Sequence, residues 1–204
     1  MKKIANIGIT GGIGSGKSFV CHLLKQKGIR VFEADARAKE ILNSNTEIQA
    51  KVIALLGRES YTKEGKADRA KIAGLVFSNP DLLKSLNAIV HPATLEEFEN
   101  WKKQAPKDYP WAYQIKEAAI LFESGTDKGL DAIVTVSAPE ELRIQRVITR
   151  DQVSRDQVLE RLRKQLSEEE RIRRSDYVIL NDGAADVERQ IQDLHQTLEK
   201  RFGN

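Results

Sequence analysis

Residues 4–18 read IANIGITGGIGSGKS, and this stretch decides the fold. Residues 4–10 are apolar and rich in β-branched side chains, as is typical of a strand buried on both faces of a parallel sheet. Residues 17–27 then carry apolar side chains at helical spacing, and Gly28 predicts the end of that helix. The sequence therefore predicts a strand, a glycine-rich loop and a helix in direct succession.

The loop itself, residues 11–18, matches the phosphate-binding pattern G-x-x-x-x-G-K-[ST]. Glycines allow positive φ angles, so that backbone N–H groups and the helix N-terminus converge on an anion. We expect Lys17 to reach the β- and γ-phosphates and the Ser18 hydroxyl to bind Mg²⁺. A glycine-rich turn that matches by chance is the alternative, and the strand–loop–helix context argues against it. The predicted loop contacts to nucleotide are Gly12, Ile13, Gly14, Ser15, Gly16, Lys17, Ser18 and, through its backbone N–H, Phe19.

The rest of the chain predicts an α/β fold with a five-stranded, mostly parallel sheet. Further strand-like segments lie at 29–32, 111–122, 132–136 and 177–180, and helical patterns at 140–150, 155–173 and 186–202. Residues 36–103 show helical periodicity without clear strands, which indicates an inserted helical lobe. We interpret residues 1–204 as one domain, with a core at 1–35 and 108–204 and a lobe at about 36–107.

Composition narrows the class of protein. The chain has 204 residues, 40% apolar and 31% charged, which is ordinary for a soluble globular protein. A net charge of +3 suits small anionic ligands but is too weak to argue for nucleic acid. Cys21 is the only cysteine, which favours a reducing compartment, and no apolar run is long enough to predict a membrane span or a secretion signal. We expect a cytoplasmic protein.

A phosphate loop alone does not separate kinases, GTPases and motor ATPases. No Asn-Lys-x-Asp guanine motif occurs, and no acid follows the strand at 132–136 as a Walker-B aspartate would. Near the loop, the acids that we place at a strand end are Glu33 and Asp35. Ligands of such sheets collect at the carboxyl ends of strands, so Asp35 is expected near the transferred phosphoryl group. A small-molecule kinase fits best, although Asp35 could also cap the next helix.

Several segments together resemble the dephospho-coenzyme A kinase family along nearly the whole chain. They are ITGGIGSGKS, the acids of VFEAD, LNAIVHP in the helical lobe, ILFESG, the stretch from Arg146 through Arg150-Asp151 to Gln165, and the terminal NDG. The resemblance implies a P-loop kinase that uses Mg²⁺ and transfers the ATP γ-phosphoryl group to the ribose 3′-hydroxyl of dephospho-CoA. ATP and dephospho-CoA are then the expected partners, and CoA and ADP the products.

The resemblance also implies roles for single residues. Asp35 matches the aspartate thought to act as catalytic base, and it could instead orient the acceptor hydroxyl. In related kinases a helical lid, here at about 150–172, carries arginines over the phosphates. Each of these residues also has an alternative without a function: His91 could be a structural histidine and Glu123 a surface carboxylate. The arginines of the lid could simply be solvated. The implied set is Asp35, Lys17 and Arg150 for catalysis, Arg146, Arg150, Asn181 and Gly183 for ATP, and His91, Glu123 and Arg161 for the acceptor.

Two competing functions stay open at this point. One is another small-molecule kinase of the nucleoside monophosphate kinase type. The other is a nucleotide-dependent switch or binding module without turnover. The patterns specify neither an oligomeric state nor a preference for ATP over GTP.

Overall fold

A five-stranded sheet organises the first of two units in the computed structural model, which describes residues 3–77 and 79–203. This unit comprises the chain up to Glu33 and from Asp108 onward. All of its strand pairs are parallel, in the order β2-β3-β1-β4-β5, so the prediction of a mostly parallel five-stranded sheet is confirmed. The strands are β1 (Ala5–Thr10), β2 (Val31–Glu33), β3 (Tyr113–Glu117), β4 (Ala132–Ser137) and β5 (Tyr177–Leu180).

The central strand β1 carries the phosphate loop at its carboxyl end. In the register, Ile9 lies beside Glu117 of β3, and Thr10 lies beside Thr135 of β4. The ends of three neighbouring strands therefore meet where the loop begins. The helices of this unit are α1 (Lys17–Gln26), α6 (Glu140–Asp151), α7 (Arg155–Arg163), α8 (Glu168–Arg173) and α9 (Val187–Phe202).

Apolar side chains of β1 and of helices α1 and α9 form the core beneath the loop. Ile7 and Ile9 are fully buried, as are Val20 and Leu24 on α1 and Ile191 on α9. Burial on both faces explains why the strand sequence is a continuous apolar run rather than an alternating one. The core thus fixes the ends of the two elements that flank the phosphate loop.

The second unit, Ala34–Lys107, is helical and has a core of its own. Its longest helix passes without a break through Pro92, and Asn79 caps its start by accepting the N–H groups of Asp81 and Leu82 at 3.1 Å each. The elements are α2 (Ala34–Ser44), α3 (Thr46–Leu56), a 3₁₀ turn (Arg58–Ser60), α4 (Arg69–Phe77) and α5 (Pro80–Lys103). No helix in the described parts of either unit combines the length and apolar character that crossing a bilayer requires.

Three predicted boundaries are wrong. The strand predicted at 111–122 spans only Tyr113–Glu117, because the apolar residues after it form turns that cover the sheet. The second strand lies at Val31–Glu33 rather than at 29–32. The single helix predicted at 155–173 is two helices, because Ser167 caps α8 by accepting the Glu170 N–H group at 3.2 Å.

Candidate active site

The phosphate loop has the backbone geometry that its glycines predict. Gly14 and Gly16 have φ angles of 79° and 90°, a region that other residues rarely adopt. A methyl group on Gly16 would also collide with the side-chain amide of Asn181. Helix α1 begins directly after Gly16 with no side-chain cap and no acidic residue in its first turn. Its positive end is therefore left available for an anion.

Lys17 is paired with a carboxylate that the sequence analysis did not select. Its Nζ donates a hydrogen bond to Oε1 of Glu117, and the two side chains are only 12% and 8% exposed. Glu117 is the last residue of β3, the neighbour of β1. Glu33 does end β2, but the strand-end acids that the sequence analysis placed near the loop, Glu33 and Asp35, did not include Glu117. Because the strand was predicted to continue to residue 122, Glu117 looked like a mid-strand residue.

Arg146 and Asn181 meet at the outer side of the loop. The Arg146 Nη1 atom donates to the carbonyl oxygens of Asn181 at 3.1 Å and of Gly14 at 3.4 Å. The Asn181 amide donates to the Ser15 carbonyl at 2.8 Å, and Asn181 is buried. The amide therefore holds the phosphate loop, and the contact to ATP that the sequence analysis expected of Asn181 stays a prediction. Gly183, with φ of 88°, lies in the turn that follows.

The other two predicted arginines are drawn together by one aspartate rather than by the loop. Arg150 donates two hydrogen bonds to Asp151, at 2.7 and 3.1 Å, and Arg161 donates one at 2.9 Å. Their side chains are 63% and 40% exposed. Hydrogen bonding from Arg150, and then from Arg161, lowers the pKa of Asp151. The structure therefore holds both arginines on α6 and α7 at the solvent side, and their contacts to nucleotide stay a prediction.

The remaining predicted residues are dispersed over the chain. Glu123 accepts the Leu166 N–H group at 2.8 Å, so it anchors backbone beyond α7. Phe19 is 49% exposed in the first turn of α1, beside the exposed Ser18. Asp35 is the second residue of α2, and His91 lies within α5, both in the helical unit.

The sequence of the chain was compared with those of known protein families and proteins. The family model described as dephospho-CoA kinase matches residues 5–186. The chain belongs to the dephospho-CoA kinase family. A dephospho-CoA kinase of Salinibacter ruber is 40% identical over 193 residues, which cover 94% of this chain and 96% of that protein.

Solved structures of similar fold also match this chain. A structure from Thermus thermophilus is 35% identical, covers 97% of this chain and 99% of its own, and superposes with a TM-score of 0.81. A dephospho-CoA kinase structure from Campylobacter jejuni, 24% identical, covers 96% of this chain and 97% of its own with a TM-score of 0.63, which supports the fold. The family model and the Salinibacter relative confirm the resemblance inferred from the motifs.

Proposed function

We propose that this chain transfers the γ-phosphoryl group of ATP to the ribose 3′-hydroxyl of dephospho-CoA, giving CoA and ADP. The observation that carries the proposal is the phosphate loop with its lysine paired to the strand-end carboxylate Glu117, in a chain of the dephospho-CoA kinase family. Phosphoryl transfer needs positioning and charge stabilisation rather than covalent chemistry. The reaction is expected in the cytoplasm, where the single buried thiol of Cys21 would stay reduced.

The residues of the loop fit a magnesium ion that arrives with the nucleotide. Mg²⁺ prefers hard oxygen ligands and is usually held by one or two side chains, waters and substrate phosphates. The exposed hydroxyl of Ser18 and the carboxylate of Glu117 offer oxygens of this kind. When bound, the ion would neutralise charge on the β- and γ-phosphates.

Protein groups supply the remaining interactions. Lys17 would exchange its bond to Glu117 for phosphate oxygens, and the free N-terminus of α1 would add backbone donors. Arg146 keeps the loop in shape through Gly14. Arg150 and Arg161 would supply positive charge from the lid at about 150–172 once Asp151 releases them.

Asp35 and the helical unit are proposed to serve the acceptor. Asp35 follows the last residue of β2 by two positions, where it would accept or orient the 3′-hydroxyl proton. The lobe at about 36–107, including His91, would bind dephospho-CoA. Asp35→Asn should lower kcat by about 10²–10⁴-fold and leave ATP binding nearly unchanged.

An acceptor panel tests the function. Purified protein with ATP and Mg²⁺ is given dephospho-CoA, nucleosides or nucleoside monophosphates, and ADP is measured. Among these acceptors, we expect only dephospho-CoA to give fast ADP formation. A better nucleotide acceptor would favour a kinase of the nucleoside monophosphate type. Nucleotide binding without acceptor-dependent ADP would favour a switch, and either result would contradict the proposal.

A further inference from the structure

Gly12 and Gly14 of the phosphate loop are packed tightly against helix α6. Arg143 of α6 is only 5% exposed, and a methyl group on Gly12 would collide with its guanidinium. A methyl group on Gly14 would lie 2.9 Å from the Arg143 Cα atom. The absence of side chains at these glycines is thus what lets α6 approach the loop so closely.

A second contact reaches the same loop from the segment that follows the lid helix α7. Gln165, two residues beyond the end of α7, accepts a hydrogen bond from the Ile13 N–H group at 2.9 Å through its Oε1 atom. The bond spans 152 residues of sequence and ties the segment after α7 to the loop, where Ile13 also packs against the apolar cluster of α6 and α7.

The backbone next to Gln165 is held in place by charged side chains, of which Arg171 is buried. The Leu166 N–H group donates to Glu123 at 2.8 Å, and the Leu166 carbonyl accepts from Nη2 of Arg171 at 2.8 Å. Arg171 is 1% exposed and also donates to Glu168 at 3.0 Å. The anchored segment can therefore hold the Gln165 side chain in one position relative to the loop.

The charge network beside this segment is incompletely satisfied. Arg143 shares Glu168 with Arg171, at 3.9 and 3.0 Å respectively. Among the described residues, the Nε atoms of both arginines and one oxygen of Glu168 are buried without a hydrogen-bond partner. Incompletely satisfied buried charges are costly, so hydrophobic residues would serve a purely structural purpose better. Holding the segment beside the loop in one defined geometry would account for them.

We propose that Gln165 is a positioning residue for phosphoryl transfer, which couples the end of the lid helix to the Ile13 peptide of the phosphate loop. The proposal rests on the kinase function proposed above. Loop N–H groups stabilise charge in the transition state only if they are held in place beforehand. A displacement of about 1 Å can cost about 100-fold in rate, so loss of this single hydrogen bond should be visible in kcat.

Three variants test the proposal. Gln165→Met keeps the length of the side chain and removes the acceptor, whereas Gln165→Glu keeps an acceptor oxygen. Gln192→Met is the matched control, because Gln192 accepts a bond from Lys27 on the exposed surface of α9. Steady-state kinetics, thermal unfolding and hydrogen exchange of a peptide that contains Ile13 are measured for each.

We expect Gln165→Met to lower kcat by about 10–100-fold while KM for ATP changes by less than about threefold. In Gln165→Met, the peptide that contains Ile13 should exchange its amide hydrogens faster, while the unfolding temperature should match that of Gln192→Met. Gln165→Glu should recover most of kcat. Unchanged kcat and exchange would overturn the proposal, as would a loss confined to KM, or equal losses in the Met and Glu variants. If the unmodified chain does not phosphorylate dephospho-CoA, the proposed function fails, and the exchange readout alone decides whether Gln165 positions the loop.

Discussion

The side chains of Lys17 and Glu117 hold two buried charges beside the phosphate loop. Each compensates the other, because an unpaired charge at this depth would be strongly unfavourable. Nucleotide phosphates would compete with Glu117 for the lysine, and the carboxylate would then turn to the metal. One strand-end acid would thus serve the site both without and with nucleotide.

Glu117→Gln should weaken the use of magnesium while the fold and the shape of the site are retained. Loss of the carboxylate charge should raise the Mg²⁺ concentration for half-maximal activity by about 10–100-fold. A magnesium titration of the initial rate at saturating ATP measures this.

Glu33→Gln is the matched control, since Glu33 also ends a strand and lies beside Glu117 in the register. Its side chain is 43% exposed and paired with Lys25 at 3.0 Å. The control should behave nearly as the unmodified chain does. Equal magnesium dependence in all three proteins would refute the role given to Glu117.

At the scale of elements, helix α7 is attached to α6 by a small apolar cluster and by two partly exposed ion pairs. Val158 of α7 is fully buried against Ile144 and Val147 of α6. The start of α7 is fixed by a capping box between Ser154 and Gln157. An element held in this way would suit the lid role proposed for α7, which requires it to move when nucleotide binds.

Val158→Ala should loosen α7 without disturbing the main core. Removing two buried methyl groups should cost about 2 kcal/mol of local stability. Hydrogen exchange of α7 should accelerate, while that of α9 stays as before. Val178→Ala is the control, because Val178 is 43% exposed on β5. If α7 and α9 accelerate equally, the helix is not a separately stable element.

The elements also show which features of the site can be predicted from the sequence. The phosphate loop was predictable because its spacing is local and each glycine has a backbone reason to be there. Glu117 was missed because the apolar run after it resembles a continuing strand. The Gln165–Ile13 bond could not be predicted, because no local pattern links residues 152 positions apart. The resemblance selected Arg150 for ATP, yet its neighbour Asp151 holds its guanidinium.

At the scale of the whole molecule, the core beneath the phosphate loop encloses Cys21. Burial, more than the neighbouring Glu117, raises the pKa of this thiol to about 12. The thiol should react with an alkylating reagent only when the sheet unit opens. At an ATP concentration of 100 times Kd, the labelling rate should fall about 100-fold, as mass action predicts for a ligand that binds only the folded state. A labelling rate of Cys21 that does not change when ATP is added would contradict this linkage.

His195 makes the stability of the molecule depend on pH. Burial lowers its pKa, although Glu199 opposes the shift, and its Nδ1 lies 2.9 Å from the Tyr113 hydroxyl. As pH falls below about 6.5, the imidazole of His195 is therefore protonated in the unfolded chain before it is protonated in the folded chain. The free energy of unfolding should fall from that pH until the lower native pKa is passed.

Urea unfolding between pH 7.5 and pH 5 measures the effect. His195→Gln should remove most of the decline in that window, because the variant has no imidazole to protonate. Identical pH profiles for the two proteins would show that other groups cause the change.

The most direct test of the whole account is the mass of the product. Dephospho-CoA is incubated with ATP, Mg²⁺ and the protein, and the acceptor is then analysed by mass spectrometry beside authentic CoA. We predict that the acceptor gains one phosphoryl group and co-migrates with CoA, and that Asp35→Asn forms almost none of this product. An acceptor of unchanged mass, or one phosphorylated at a position other than the 3′-hydroxyl, would contradict the account.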